Sequence, residues 1–249
     1  MGDIAIEEHI PNKENTKHLK NITGKKDQGI MKEIEIKTKR IKLRPMSDGE
    51  IEALMEHIDS DDLRTAYGEM LGGCKRDPQN RIWYAPWEMT LKDSQKYVGD
   101  LCFKGPVKNH SVEIGYGVQP EHEGLGYTTE AVRAMTQWAF SQKDVVFVEA
   151  ETDPDNKASQ RVLEKCGFVS DGTMGEEGPR FVLESPLTNW STVYMLFGMS
   201  IGMAIGNFQN QMILGMAIGM SLGVLVGLLL NNSEKKNREA FRQQRRPNV

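Results

Sequence analysis

Charge is missing from one long stretch of this chain: between Ser185 and Ser233 there is no Asp, Glu, Lys or Arg. That excludes an ordinary solvent-facing surface for the segment. Its many glycines also exclude an ordinary soluble helix, because each one inside a helix costs about 1 kcal/mol against alanine in water. Cysteine is scarce as well. Cys74, Cys102 and Cys166 are odd in number and scattered, with no C-x-x-C pair. A disulfide framework and a cysteine-based zinc site are therefore not expected, and a reducing cytosol is the natural compartment. His57, His110 and His122 stand alone and lack metal-ligand spacing, so no metal is expected. The first 30 residues lack an apolar core, so no signal peptide is expected. Gly2 follows Met1, but Ile6 leaves the myristoylation pattern incomplete. A basic surface is lacking too: residues 31–184 hold 20 basic and 28 acidic side chains, which argues against nucleic acid.

What is present falls into four zones. Residues 1–30 are polar and mixed in charge, and read as a disordered extension. Residues 31–187 carry the periodicities of a folded domain. An opening strand holds Ile34, Ile36, Ile41 and Leu43 and ends at Pro45. Ser47 and Glu50 form a capping box before a helix with Ile51, Leu54, Met55 and Ile58 on one face. A second short helix, 61–71, is broken by Gly72, Gly73, Asp77 and Pro78. Strands follow at 82–91 and 97–104. Trp83, Tyr84 and Trp87 lie on the first of these, either as a cleft wall or as core. Later elements are strand 112–118, helix 128–142, strand 145–152, helix 156–166, and strands 168–173 and 181–187. The expected fold class is α/β, a mixed sheet with the order β-α-α-β-β-β-α-β-α-β-β.

Two stretches carry chemistry. In the first, Val112, Ile114, Tyr116 and Val118 alternate as a strand, Pro120 closes it, and Gly124-Leu125-Gly126 leads into a helix. Such a turn aims several backbone N–H groups at one spot beside a helix N-terminus, a site for phosphate. In the second, Asn156 and Ser159 open a helix with Ala158, Val162, Leu163 and Cys166 on its inner face, and Gly167-Phe168 ends it.

The pair resembles the GNAT acetyltransferase superfamily, in particular its ribosomal-protein, aminoglycoside and polyamine N-acetyltransferase branch. The family's Q/R-x-x-G-x-G/A loop corresponds to Glu121-His122-Glu123-Gly124-Leu125-Gly126. Its N-x-x-S signature corresponds to Asn156 and Ser159. The resemblance covers about residues 31–187. It implies acetyl-CoA as co-substrate, its pyrophosphate held by backbone N–H groups from Glu121 to Gly126 and at the helix start, Tyr127 and Thr128. It implies a pantetheine arm lying as a mock strand beside Tyr116, Gly117 and Val118, with Asn156 and Ser159 contacting the arm or ordering the loop. Glu121 stands where the family has Gln or Arg, and Leu163 where some relatives have a tyrosine acid. Transfer to a primary amine needs a base; Glu151 is the first candidate and Glu113 the rival, with solvent-edge glutamates as the bland alternative. Ser159 is a possible donor to the leaving thiolate, or simply an N-terminal helix residue. The acidic body fits a cationic amine, either a small molecule or a protein N-terminus.

The uncharged zone repeats itself. Gly198-Met-Ser-Ile-Gly-Met-Ala-Ile-Gly206 recurs as Gly215-Met-Ala-Ile-Gly-Met-Ser-Leu-Gly223. Glycines every fourth residue form a groove where another helix approaches closely. One helix across the whole span would be about 58 Å long, against a hydrocarbon core of roughly 30 Å. A transmembrane hairpin over 188–233, with its apex at 207–211, is the expectation. The alternative is a soluble glycine-rich segment that packs on the domain or self-associates. Lys235, Lys236, Arg238, Arg242, Arg245 and Arg246 follow, and basic residues beside a span stay cytoplasmic. Membrane lipid is thus an expected partner, with a cytoplasmic domain tethered to it. A second class of function remains open: a GNAT-like domain without turnover, serving membrane association or oligomerisation.

Overall fold

A computed structural model describes residues 34–208 and 210–245; the polar extension at 1–30 lies outside them. The chain divides into two compact units between Glu184 and Ser185.

The first unit is an eight-stranded mixed sheet flanked by helices. Its strands are β1 (Ile36–Lys37), β2 (Ile41–Pro45), β3 (Trp87–Leu91), β4 (Tyr97–Phe103), β5 (Ser111–Val118), β6 (Phe147–Glu151), β7 (Val169–Met174) and β8 (Pro179–Glu184). They lie in the order β1-β2-β3-β4-β5-β6-β8-β7. All neighbours are antiparallel except β5 and β6, which are parallel. Helices α1 (Asp48–Met55) and α2 (Asp61–Arg76) precede β3, α3 (Tyr127–Phe140) joins β5 to β6, and α4 (Lys157–Cys166) joins β6 to β7.

Two apolar clusters hold these layers. Ile41, Leu43, Trp87, Met89, Leu101 and Ile114 of the sheet pack with Ala131, Val132 and Met135 of α3 and Leu163 of α4. Ile51, Leu54, Leu63, Tyr67 and Leu71 of α1 and α2 build the second cluster. The capping box forms as the sequence predicts: Ser47 accepts from the Glu50 N–H and Glu50 reaches back to Ser47.

Three expectations need correction. The opening strand is two strands, because residues 38–40 turn and β1 folds back on β2, pairing Ile36 with Leu43. Helix α2 runs to Arg76, straight through Gly72 and Gly73. Gly73 is tolerated there because the Tyr84 ring lies where its side chain would be. Finally, the strand expected from Ile82 begins only at Trp87, since Pro78–Trp83 form a 3₁₀ turn. Trp83 and Trp87 stack around Trp138 with ring centroids 5.2 and 5.0 Å away. They are core, buried with Phe103, and wall no cleft.

The second unit is a helical hairpin, α5 (Trp190–Phe208) and α6 (Met212–Arg245). The two glycine rows face each other: Gly198 meets Gly219, Gly202 meets Gly215, and Gly223 meets Tyr194. The falling register makes the pair antiparallel. A Cβ at Gly198, Gly202 or Gly219 would collide with a carbonyl oxygen of the facing helix. Only glycine permits this approach. Large apolar side chains such as Phe197, Ile201, Ile213, Leu222 and Leu229 point outward and are exposed. Helix α6 continues through the charged segment to Arg245. Where the glycines end, polar bonds take over. The Trp190 N–H donates to Asn231 Oδ1 (2.9 Å), the Trp190 indole to Glu234 (2.7 Å), and Arg238 to the Ser185 carbonyl (2.6 Å).

Candidate active site

The sheet divides in its middle. Strands β5 and β6 pair only through Ser111–Phe147, Val112–Val148 and Glu113–Glu149. Past that point β5 bonds to β4 alone, as far as Val118, and β6 to β8 alone, as far as Glu151. A fork opens between them, and the backbone groups along its two inner edges have no strand to pair with.

The loop at the mouth of the fork leads into α3. Pro120–His122 make a 3₁₀ turn in which the His122 N–H donates to the Gln119 carbonyl (2.8 Å) and the Glu123 N–H to the Pro120 carbonyl (3.3 Å). Those two N–H groups are therefore consumed inside the loop and unavailable to an anion. Among the described residues, the N–H groups of Gly124, Leu125 and Gly126 have no such loop acceptor. Gly124 and Gly126 have φ of 68° and 80°, the left-handed region, and open space lies where a Gly124 side chain would stand. Gly126 takes the N-cap position of α3 without a side-chain cap bond. The first helical turn, beginning Tyr127-Thr128, presents N–H groups with no intrahelical acceptor. This half of the cradle is compatible with a pyrophosphate. Glu121, the acidic departure in this loop, pairs with Lys96 at 3.6 Å, which offsets part of its charge.

Sequence reasoning missed the brace under this loop. Arg40, in the turn between β1 and β2, donates to the Leu125 carbonyl (2.9 Å) and to Glu130 of α3 (2.7 Å), and its guanidinium lies 4.6 Å from the Tyr127 ring centroid. Thr38 and the Arg40 N–H also donate to Glu130, at 2.6 and 2.7 Å. Burial opposes ionisation of Glu130, but these donors overrule it and hold its carboxyl down at about 2. A hollow of about 420 Å³ lies between this turn and α3, lined by Arg40, Gly126, Thr129 and Arg133 among others.

Across the fork, Asn156 caps α4, its Oδ1 accepting from the Ser159 N–H at 2.8 Å. The Ser159 hydroxyl lies 3.0 Å from the Tyr116 hydroxyl, which also reaches the Ser159 carbonyl at 3.3 Å. Tyr116 thus ties β5 to α4 over the gap. Burial pushes its phenol up to about 12, and the Ser159 bond only partly offsets that. Leu163, where a tyrosine acid was sought, is fully buried core. Cys166 is half-buried, its thiol raised by burial.

The carboxylates form a connected group. Glu151 is bound by Arg180 through two hydrogen bonds (3.0 and 2.6 Å) and by the Glu177 N–H (3.2 Å). Burial works against its charge, but these donors bring its carboxyl below the ordinary range. Glu113 pairs with Lys104 at 2.6 Å, and Lys104 also meets Glu177 at 2.6 Å. Burial dominates at Glu113 and raises its carboxyl despite Lys104. Glu149 is buried and accepts from the Ser111 hydroxyl. Asp100 on β4, not noticed in the sequence, receives both the Tyr67 and Tyr97 hydroxyls at 2.6 Å. No group of three or more His, Cys, Asp or Glu side chains arranged to hold a metal occurs among the described residues.

Fork, glycine loop and capped α4 together define an acyl-CoA-dependent transferase fold. The chain belongs to the GNAT family, since the family model described as Acetyltransferase (GNAT) domain matches residues 40–169. It is similar to the uncharacterized N-acetyltransferase YjdG of Bacillus subtilis, 37% identical over 84 residues, which are 33% of this chain and 50% of that protein. It is also similar to the uncharacterized N-acetyltransferase YoaA of the same organism, 26% identical over 150 residues, 56% of this chain and 85% of that one. The match thus spans half the length of the first relative. Among solved structures, an acetyltransferase from Agrobacterium tumefaciens shares the fold, with a TM-score of 0.50 and 18% identity over 61% of this chain and 95% of that one. Ribosomal-protein acetyltransferases stand among the other similar proteins.

Proposed function

We propose that the first unit transfers an acetyl group from acetyl-CoA to a primary amine by direct attack on the thioester. The observation that carries this is the fork between β5 and β6, opening beside Gly124–Thr128. Backbone N–H groups of Gly124, Leu125, Gly126 and the start of α3 hold the pyrophosphate. The arm lies along Tyr116, Gly117 and Val118, whose outer edge has no other strand. Acetyl-CoA supplies the activated acyl group; the chain's own residues position the amine and manage its proton. Of the carboxylates, Glu113 suits proton acceptance through water better than Glu151, because burial raises its basicity while Arg180 holds Glu151 as an anion. Ser159, bonded to Asn156 and Tyr116, donates a hydrogen bond to the departing sulfur on this reading. The test is thiol release from acetyl-CoA with a panel of small amines and N-terminal peptides; no release with any of them, from a folded protein, sinks the enzyme reading.

The domain limits we propose are 31–187 for the transferase and 188–233 for a membrane hairpin, followed by a basic cytoplasmic tail. Two helices long and apolar enough to cross a membrane support the hairpin: Trp190–Phe208 and Met212–Arg245, with mean hydropathy 1.2 and 2.4 in their most apolar windows. A 19-residue helix is about 28 Å long, close to the hydrocarbon thickness. Their outward apolar faces fit lipid, and further glycine-mediated association with a second copy is compatible with them. Sedimentation with membranes after carbonate washing tests the anchor; a full-length chain that stays in the supernatant refutes it. The non-enzymatic reading, an acyl-CoA-binding domain serving membrane association, is favoured only by Leu163 in the tyrosine position.

A further inference from the structure

The fork has a bare floor on one side. Side chains of directly opposed residues share a face of a sheet. Asp100 of β4 is opposed by Gly117 of β5, and Cys102 by Gly115. On that face, β5 therefore presents no side chain beside Asp100. Gly99 brings the strands together here: its φ is 156°, and a Cβ would strike the Gly117 carbonyl oxygen. The backbone of Asp100 consequently stands about 5 Å from that of the strand that borders the fork. Glu113 lies four residues back along β5, about 13 Å from Gly117.

Asp100 is held in an unusual way. It is 8% exposed, and both tyrosine hydroxyls donate to the same oxygen, Oδ2. Among the described residues Oδ1 receives no hydrogen bond. Nor is it one of the buried atoms left without a partner, so Oδ1 is not fully enclosed. Its cross-strand neighbour Glu88 is neutralised by Arg44 at 2.7 Å. Arg44 is itself turned toward Glu50 and Glu88, which leaves Asp100 with phenols but no cation. A nearly buried carboxylate without a counter-ion is costly, and burial raises its carboxyl above the usual range.

We infer that Asp100 Oδ1 anchors the ammonium group of a cationic amine substrate over Gly115 and Gly117, making Asp100 a specificity-determining residue. The assignment rests on the acyl-transfer reading. Tyr67 and Tyr97 fix the carboxylate, β5 sets no side chain opposite it at Gly117, and the substrate brings the missing positive charge. Glu113, two residues from Gly115 on the same face of β5 and about 7 Å from it, takes the ammonium's proton through water. The substrate class is then a primary amine charged at neutral pH and slender enough to reach between β4 and the fork.

The test compares the full-length chain with Asp100→Asn, which preserves an acceptor for both tyrosines. Spermidine, kanamycin and the amide of Ala-Ala-Ala serve as amine probes. For the probe that is acetylated, KM should rise roughly 10- to 100-fold, as expected for losing a charge-assisted hydrogen bond, with kcat changed far less. Acetyl-CoA affinity by calorimetry should stay within about twofold, and thermal stability should not fall. In the wild-type protein, the carbon-13 signal of the Asp100 carboxyl should titrate at lower pH when spermidine is added. An unchanged KM overturns the inference, and so does an Asp100 signal indifferent to every probe. Loss of acetyl-CoA binding or of stability in the variant overturns it as well, by making Asp100 structural. A wild-type protein that binds no acetyl-CoA brings down the transferase reading itself, a result distinct from all of these.

Discussion

Glu113 on β5 and Glu149 on β6 are the last residues these parallel strands set side by side. Everything proposed for the first unit depends on their being last. Beyond them the loop, the α4 cap and the Tyr116 tie are arranged around an interval that no strand fills.

Gly124→Val should abolish acetyl-CoA binding with limited damage to the fold. The residue has φ 68° and open space around it, so the cost is backbone strain of about 1–2 kcal/mol. On the acyl-transfer reading, the new side chain stands where the phosphates go. Calorimetry should show affinity reduced tenfold or more, alongside a melting temperature only a few degrees lower. Binding that survives unchanged would place the cradle elsewhere.

Arg40→Ala tests the brace. Removing the guanidinium takes away its bond to the Leu125 carbonyl and its pairing with Glu130. Because Arg40 is partly exposed, the stability loss should be modest, about 1 kcal/mol. The acetyl-CoA dissociation constant should rise several-fold because the loop loses its support. An effect on stability without any on binding would confine Arg40 to holding β2 against α3.

Acid should loosen the same junction. The folded value of Glu130, about 2, lies below its ordinary 4.5. The sign follows from linkage: a depressed carboxylate stabilises the fold above its unfolded pKa, and that contribution disappears as pH falls through the folded one. Denaturation midpoints measured between pH 6 and 2 should decline most below about pH 4.5, and Glu130→Gln should flatten that decline. A variant with the wild-type pH profile would remove Glu130 from the account.

Tyr116→Phe removes the tie over the fork. Its loss should cost about 0.5–1.5 kcal/mol, the usual net worth of one hydrogen bond. The high-pH titration belonging to its buried phenol, at about 12, should vanish from the ultraviolet difference spectrum. If that titration persists in the variant, it belongs to another tyrosine.

Gly202→Leu tests the hairpin. The new Cβ would collide with the Gly215 carbonyl, so the helices must separate. Disulfide formation between cysteines placed at Ser191 and Asn231, whose side chains meet at 2.9 Å between the helices, should fall sharply from that in the parent, while the apolar content that favours a membrane is untouched. Unaltered cross-linking would show that the rows do not meet.

The sequence made legible what is local. Gly124, Gly126, Asn156 and Ser159 act through their own turns and helix starts, and their spacing survives in one dimension. The glycine rows of α5 and α6 were readable for the same reason, since a four-residue period needs no knowledge of the rest of the fold. Arg40 and Asp100 were not readable. Arg40 meets its partners 85 and 90 residues away, and Asp100 matters because of the residue opposite it on the next strand. Helix α2 misled through Gly72 and Gly73; the cost at Gly73 is overridden by packing against Tyr84. The tryptophans left wall and core both open, and core is the outcome because Trp138 arrives from another helix.

The divided sheet has a further consequence. Two inner strand edges left without partners are the surfaces through which sheets recruit foreign strands and aggregate. A ligand whose amide-bearing arm occupies them closes that liability as well as reacting. On the acyl-transfer reading, a bound acyl donor also shields these edges from pairing with a foreign strand.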